Sequence, residues 1–425
     1  MKILIISRTP WNEGNSFGNT FTNLFKGMQN VEIYHICCQK GITKGTLAVG
    51  TLQMTEKQII RDGKNIGEMV FDSINLDLKE SINKSVKNKY KDYIVSKRFV
   101  SALLVRDIIW KLSNYKKSDQ LLRFIKNANP DIIYLPIYNS WYMCDIQEFV
   151  LEQCEVPVVG HITDDVYSYP TGYLASPMVY FYKYILRNKL DRLISKCSYL
   201  EVFAENMKSE YEKIFKKKCY LIGKGIKVAQ VQKPCMYKEK QIFRRYVYTG
   251  NLGSGRLEVL FKLASCLDKI EAILEVYSTS VLSERQKKEM EKYKSFKMMG
   301  AIGSDEVKDV QQHADVLVHV ESFNPKSICE TKMSLSTKII DYLCVEKLIL
   351  AIGPEKINSI QFIKNNELGI VVSNLKELES AVVRISNGYV DLNKIQQKIF
   401  NYLITNRDIL KIQAEIYDRL EKVLE

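Results

Sequence analysis

The chain has 425 residues, 46% of them hydrophobic and 26% charged, the balance of a folded globular protein with room for two domains. No apolar run approaches the roughly 18 residues that would suggest a membrane span, and the opening "MKILIIS" reads as a core strand rather than a signal peptide. The net charge of +13 favours anionic partners such as phosphorylated substrates, anionic lipid or nucleic acid, or it simply keeps the surface solvated.

That charge is uneven. Lys79 to Lys126 holds thirteen Lys/Arg against four Asp/Glu, and Lys213 to Arg245 holds eleven against one. No nucleic-acid module is present and the basic stretches lack an aromatic stacking pattern, so nucleic acid is not expected as a partner. The ten cysteines lie singly apart from Cys37 and Cys38, without a Cys-x-x-Cys. They read as reduced thiols of a cytoplasmic protein. The histidines His35, His161, His313 and His319 never join cysteines at zinc-ligand spacing, so no structural metal is expected.

Along the chain, short β-rich runs alternate with helical patterns. The first half offers "KILIIS", "VEIYHIC", "DIIYLP", "VPVVGHI", "LEVFA" and "CYLIG" as strands, with helical "FTNLFKGM", "DIQEFVLEQ" and "MKSEYEKIFKKK" among them. The pattern lapses into a polar stretch with Pro234. It resumes with "RRYVYTG", "AILEVYS", "ADVLVHV", "KLILAIG" and "LGIVVS", and with the helix pattern "RLEVLFKLASCLDKI". Such alternation predicts α/β architecture, two tandem doubly wound Rossmann-like domains with a deep interdomain cleft. The expected division is residues 1–230, a linker at 231–243, residues 244–400, and a C-terminal helix over 401–425 that packs back on the first domain.

In "SLSTKIIDYL" the spacing predicts a loop entering a helix near Ser336 or Thr337. Exposed amides there, the helix dipole, the hydroxyls and Lys338 would receive phosphate. Asp341, four residues past Thr337 on the same face, would accept hydrogen bonds from a ribose diol. The alternative is a capped helix with a half-buried aspartate. In "YVYTGNLGSGRLEVL", Gly250, Gly253 and Gly255 lie between a strand and a helix start, an arrangement suited to anions. It is neither the dinucleotide fingerprint nor a P-loop. Arg256 adds a permanent cation for a departing diphosphate.

In "VPVVGHITDDVYSYP", His161, Asp164 and Asp165 fall just past a strand's carboxyl end. Carboxylates there can stabilise positive charge or take a proton, and the histidine can donate to a hydroxyl or act as a base. Alternatively Asp165 caps a helix and His161 is a core residue. In "RTPWNEGNSFGNTF", Gly14 and Gly18 allow a flexible loop after the first strand, with Glu13 and Asn15 as hydrogen-bonding side chains and Trp11 as a stacking surface. Two apolar segments with basic flanks, Phe99 to Leu112 and Tyr180 to Lys196, suit either an anionic membrane surface or core helices.

The tandem architecture, "YTGNLG", and "HVESF" followed by "STKIIDYLCVEKLILAIGP" resemble the donor domain of GT-B-fold glycosyltransferases, family-4-like, of the kind that build bacterial surface polysaccharides. The resemblance covers most of the chain and is strongest from Tyr246 to Pro354. It implies a metal-independent hexosyltransferase that needs no cofactor, with a UDP- or GDP-sugar bound in the second domain and a glycan or lipid-linked acceptor in the first. It implies a cytoplasmic enzyme, peripheral at the inner face of the membrane. By the family pattern Ser336, Thr337 and Lys338 contact the diphosphate, Asp341 replaces the usual ribose-binding glutamate, and Arg256 is near the leaving-group cation. Asn251 stands where many relatives carry arginine. Glu321 falls about where the first of two family glutamates would be, although it is further from Asp341 than the pattern asks, with "NPKSICETKMSL" as an insertion between. Two rivals share the fold: a nucleotide-sugar epimerase and a non-catalytic glycosyltransferase-like partner subunit.

Overall fold

The structure, a computed structural model, describes residues 1–61, 66–71, 100–167, 177–231, 233–234 and 241–425. Much of the expected linker, the first part of the basic run from Lys79, Phe99 and the end of "VYSYP" lie outside the described residues. Two compact units divide the chain. One comprises Met1–Ile162, Val166–Ile222 and Gln413–Glu425, and the other Thr163–Asp165 and Gly223–Ile412.

The first unit is built on eight strands: β1 (Lys2–Ser7), β2 (Glu32–Cys37), β3 (Ala48–Gln53), β4 (Glu68–Val70), β5 (Ile132–Pro136), β6 (Val158–Ile162), β7 (Tyr199–Val202) and β8 (Cys219–Leu221). Their spatial order is β4-β3-β2-β1-β5-β6-β7-β8. All pairs are parallel except the antiparallel edge of β4 on β3. β1, β5 and β6 are buried almost without interruption, as parallel strands covered on both faces must be. The strand order reverses between β1 and β5, so the loop after β1 leaves the sheet at its switch point. That loop runs into the helix Ser16–Phe25, whose first turn Asn15 caps by accepting from the Gly18 amide.

The second unit has six strands: β9 (Arg245–Thr249), β10 (Ile273–Tyr277), β11 (Phe296–Gly300), β12 (Val316–Val320), β13 (Leu348–Ile352) and β14 (Ile370–Val372). They are all parallel, in the order β11-β10-β9-β12-β13-β14. Alternate side chains feed two cores. Tyr246, Tyr248, Val316, Val318 and Val320 face the helix Arg256–Leu267, and Val247, Leu317, Ile349 and Ala351 face Ile339, Ile340 and Leu343. β3, β4 and β11 are additions to the strands expected from sequence.

The tail is two helices, where one was expected. Leu392–Asn406 stops at Arg407, and Ile409–Leu424 follows. Backbone pairing explains the break: Ile226 donates to the Arg407 carbonyl at 2.7 Å and Ile409 donates back to Ile226 at 2.9 Å. Gln413–Glu425 then groups with the first unit, where Gln413 donates to the Asn23 and Lys26 carbonyls at 2.9 and 2.8 Å.

Leu260, wholly buried on the helix against β9 and β12, tests the second core. Leu260→Ala should cost about 2–5 kcal/mol in urea unfolding. A loss below about 1 kcal/mol would mean that the helix is not packed as described.

Candidate functional site

β9 and β12 are neighbours in space although β10 and β11 intervene in sequence, which makes the edge beyond them the switch point of the second unit. The segment leaving β9 is a tight loop. Tyr248 Oη donates to the Asn251 carbonyl at 2.6 Å, the Gly253 amide donates to Asn251 Oδ1 at 2.5 Å, and the Leu252 amide donates to Ser280 Oγ at 3.1 Å. Asn251 is thus a brace of the loop. Gly255 closes it at φ +76°, and a Cβ there would fall 2.3 Å from Ser322 Oγ. The helix Arg256–Leu267 begins at once, and its N-cap, Gly255, has no side chain to cap the first amides. Glycine loop and bare helix start together offer donors and a positive dipole end to an anion.

Two cations frame this corner. Arg256 Nη2 donates to Glu321 Oε2 at 3.1 Å and Oε1 at 3.4 Å, leaving its other N–H groups available. Lys338 is exposed as a residue, yet its ammonium end donates to the Thr249 carbonyl at 3.3 Å and lies where a Cβ on Gly250 would meet it at 2.5 Å. Desolvation, and then Arg256, hold the Lys338 pKa below the ordinary lysine value. Glu321 is buried, and that burial pushes its carboxyl up while Arg256 and Lys338 draw it down. His319, two residues earlier on β12, brings Nε2 to 3.6 Å from Glu321 Oε1. Burial, with Arg256 and Lys338 adding to it, lowers His319 to about 3, so this histidine is neutral.

The "SLSTKIIDYL" segment is more modest than its sequence suggests. The helix is the six residues Lys338–Leu343, and neither hydroxyl caps it by a side-chain hydrogen bond. The Ser336 amide is spent on Ser359 Oγ at 3.1 Å, so it is not among the free donors. Asp341 is half-exposed and paired with Lys224 Nζ at 2.5 Å. The inserted residues after Glu321 fold into a further helix, Pro325–Thr331, capped by Asn324.

In the first unit, Trp11 is a correction. It is fully buried, edge-on to Phe17, Phe21 and His35, and its Nε1 donates to Thr22 Oγ1 at 2.9 Å. An indole enclosed on these sides has no face for a sugar. Asn15 is likewise committed, to the helix cap and to the Pro10 carbonyl at 2.9 Å. Gly14 donates to Asn12 Oδ1 at 2.8 Å, and Glu13 is an exposed side chain 3.9 Å from Lys26. His161 is buried on β6, with Nδ1 2.8 Å from Tyr134 Oη. Asp164 is exposed and Asp165 half-buried, two and three residues past the strand, and both group with the second unit.

No known sequence-family profile matches the chain, and no curated protein sequence does. Solved structures do match. HepE of Anabaena, in complex with UDP and glucose, superposes with a TM-score of 0.61 at 10% identity, covering 99% of this chain and 100% of that one. Sucrose-phosphate synthase from Thermosynechococcus elongatus gives 0.61 at 9% identity over 100% and 99% of the two chains. The UDP-forming α,α-trehalose-phosphate synthase from Burkholderia xenovorans, in complex with glucose-6-phosphate, gives 0.59 at 7% over 99% and 100%. The chain has the GT-B fold. Within this GT-B chain, Gly250, Arg256, Glu321 and Lys338 converge at the switch point of the second sheet. Sequence reading missed His319, Lys224, Tyr134, Glu201 and Arg419 as parts of polar clusters. His319 alone left a signal, sharing a strand face with Glu321 two residues on.

Burial lowers His35, His161 and His319 each to about 3. The unfolded chain protonates them below 6.5 and the folded chain only near 3, so their contribution is whole above pH 6.5 and lost as pH falls from 6.5 toward 3. Each adds a slope of up to about 1.4 kcal/mol per pH unit. Glu201 and Glu321, raised above 4.5 by burial, oppose this by binding protons more readily when folded. Urea midpoints should therefore fall on acidification below pH 6.5, and His319→Gln should flatten the fall. A midpoint that is level, or unchanged in slope by that variant, would contradict the assignment of neutral buried histidines.

Proposed function

We propose that this chain is a glycosyltransferase that moves a sugar from a UDP- or GDP-sugar to a hydroxyl of a glycan or lipid-linked acceptor. The observation that supports it most is the Lys338 ammonium lying over Gly250, in the loop that leads from β9 into the helix Arg256–Leu267 at a sheet switch point. HepE, whose fold this chain shares, has been solved with UDP-glucose.

In this reading the second unit takes the donor. Gly250, Gly253, Arg256 and Lys338 receive the diphosphate together with the amides of Thr337 and Lys338, and Ser336 and Asn251 shape the loops. Asp341 accepts from the ribose, exchanging Lys224 for it, and Glu321 holds Arg256. The bond from the anomeric carbon to the diphosphate oxygen breaks, and the bond to the acceptor oxygen forms. The acceptor hydroxyl gives its proton to a carboxylate of Asp164 or Asp165, and the nucleoside diphosphate leaves with its charge balanced by Arg256 and Lys338. His161, Asp164 and Asp165 serve the acceptor side and the oxocarbenium-like transition state, and Glu13 and Gly14 line the approach. Because two side-chain cations and a helix start serve the diphosphate, turnover should persist in EDTA.

The acceptor, if lipid-linked, would be met at the cytoplasmic face of a bacterial membrane. No helix of the described residues is long and apolar enough to cross one. On the first unit, Ile108 and Leu112 of the helix Val100–Leu112 and Tyr180, Phe181 and Tyr184 of the helix Pro177–Ser195 are exposed. The two helices are joined by Tyr182 Oη donating to Asp107 at 2.8 Å. Phosphatidylglycerol vesicles should sediment the chain, and Leu112→Ser with Phe181→Ser should release it. Equal sedimentation of both proteins would remove the membrane from the proposal.

Thermal unfolding with UDP, GDP and UDP-glucose tests the donor assignment, since a ligand of the native state must raise the midpoint. Lys338→Ala and Arg256→Ala should each lower transfer by about 10²–10³-fold. Gly250→Ala should weaken nucleotide binding by displacing the Lys338 ammonium, and should also cost stability because Gly250 sits at φ +157°. No shift with any nucleotide would sink the reading. Product formed from UDP-glucose without an acceptor would favour an epimerase instead.

A further inference from the structure

The strongest feature outside the donor corner is a buried chain of polar groups in the first unit. Arg419, on the last helix, donates through Nη2 to Glu201 Oε1 at 2.8 Å. Glu201 is wholly buried on β7, and its other oxygen accepts from Tyr134 Oη on β5. Tyr134 Oη in turn lies 2.8 Å from His161 Nδ1. His161 stands one residue from the carboxyl end of β6, the edge at which doubly wound sheets bind ligands. Its Nε2 is buried and has no hydrogen-bond partner among the described residues. Phe21 and Phe203 flank the ring at 4.9 and 5.5 Å between centroids, and neither can supply an acceptor or donor of ordinary strength.

The protons in this chain can be assigned by elimination. Burial raises the Glu201 carboxyl and Arg419 draws it down. The geometry, a permanent cation donating to Oε1 at 2.8 Å and paired with no other acid among the described residues, makes Glu201 the carboxylate of an ion pair. An ionised carboxylate has no proton to give, so Tyr134 spends its single O–H on Glu201. The tyrosine oxygen then only accepts, and the proton shared with His161 belongs to Nδ1. A neutral imidazole carries one N–H, which leaves Nε2 with a bare lone pair.

We propose that Arg419, Glu201 and Tyr134 are positioning residues that lock His161 as its Nδ1–H tautomer, so that Nε2 accepts a hydrogen bond from a substrate sugar hydroxyl. The tautomer follows from the chain alone, and the identity of the hydroxyl rests on the glycosyltransferase reading. The last helix is thereby tied to the proposed reaction, since Arg419 sets the charge of the carboxylate that sets the tautomer.

Nitrogen-15 NMR of the intact chain labelled at histidine tests this, with His161→Gln identifying the signal among the four histidines. The wild type should show a protonated Nδ1 and an unprotonated Nε2. Tyr134→Phe should abolish the fixed Nδ1–H pattern and lower kcat about tenfold with little change in KM for UDP-glucose. Glu201→Gln, which keeps the shape and an acceptor, should shift the tautomer ratio without removing it. A wild-type Nε2–H, or a pattern that survives both substitutions, would overturn the chain. With the tautomer as expected, transfer by His161→Gln at the wild-type rate would overturn the hydroxyl assignment. Failure of UDP, GDP and UDP-glucose alike to bind would instead overturn the proposed function and leave the tautomer standing.

Discussion

Two positive charges held close together in a partly desolvated corner are the constraint on which the second unit turns. Lys338 is depressed by desolvation and by Arg256, and Glu321 beside them is raised by burial. An arrangement that costs its own charges this much is unfavourable as mere structure. Glu321 offsets part of it by accepting two hydrogen bonds from Arg256. A bound dianion would offset the rest, which is the physical case for reading the corner as a receptor. The sheet supplies the place, because β9 and β12 pair across the reversal of strand order and send their loops apart.

The first unit solves a different problem by similar means. Glu201, Tyr134 and His161 are buried deeply enough that each needs a partner, and they satisfy one another in series up to Nε2. Arg419 reaches this series from a residue more than two hundred positions further along the chain. The network therefore exists only once the last helix is in place, and the histidine's chemistry is set by tertiary structure.

Much of the fold was legible because parallel strands buried on both faces read as unbroken apolar runs, as in "KILIIS" and "KLILAIG". β3 escaped because Gly50 interrupts a half-exposed run, and β11, "FKMMG", because an edge strand with alternate exposure resembles the end of a polar helix. The break at Arg407 was invisible because pairing with Ile226, distant in sequence, overrides a continuous helical pattern. At the candidate site, loop and helix-start chemistry singled out Gly250, Arg256 and Lys338, and the family resemblance Glu321; the fold brings the four together. Trp11 misled because an aromatic residue in a glycine-rich loop looks available until Phe17, Phe21 and His35 are seen around it. Lys224 and Arg419 left no local signal, since their partners lie 117 and 218 residues away.

A crystal structure of the intact chain soaked with UDP addresses the central claim most directly. The account predicts diphosphate oxygens against the Gly250 backbone, the first turn of the helix at Arg256, and the Lys338 ammonium. A nucleotide seated elsewhere, with that ammonium still held by the Thr249 carbonyl, would contradict it.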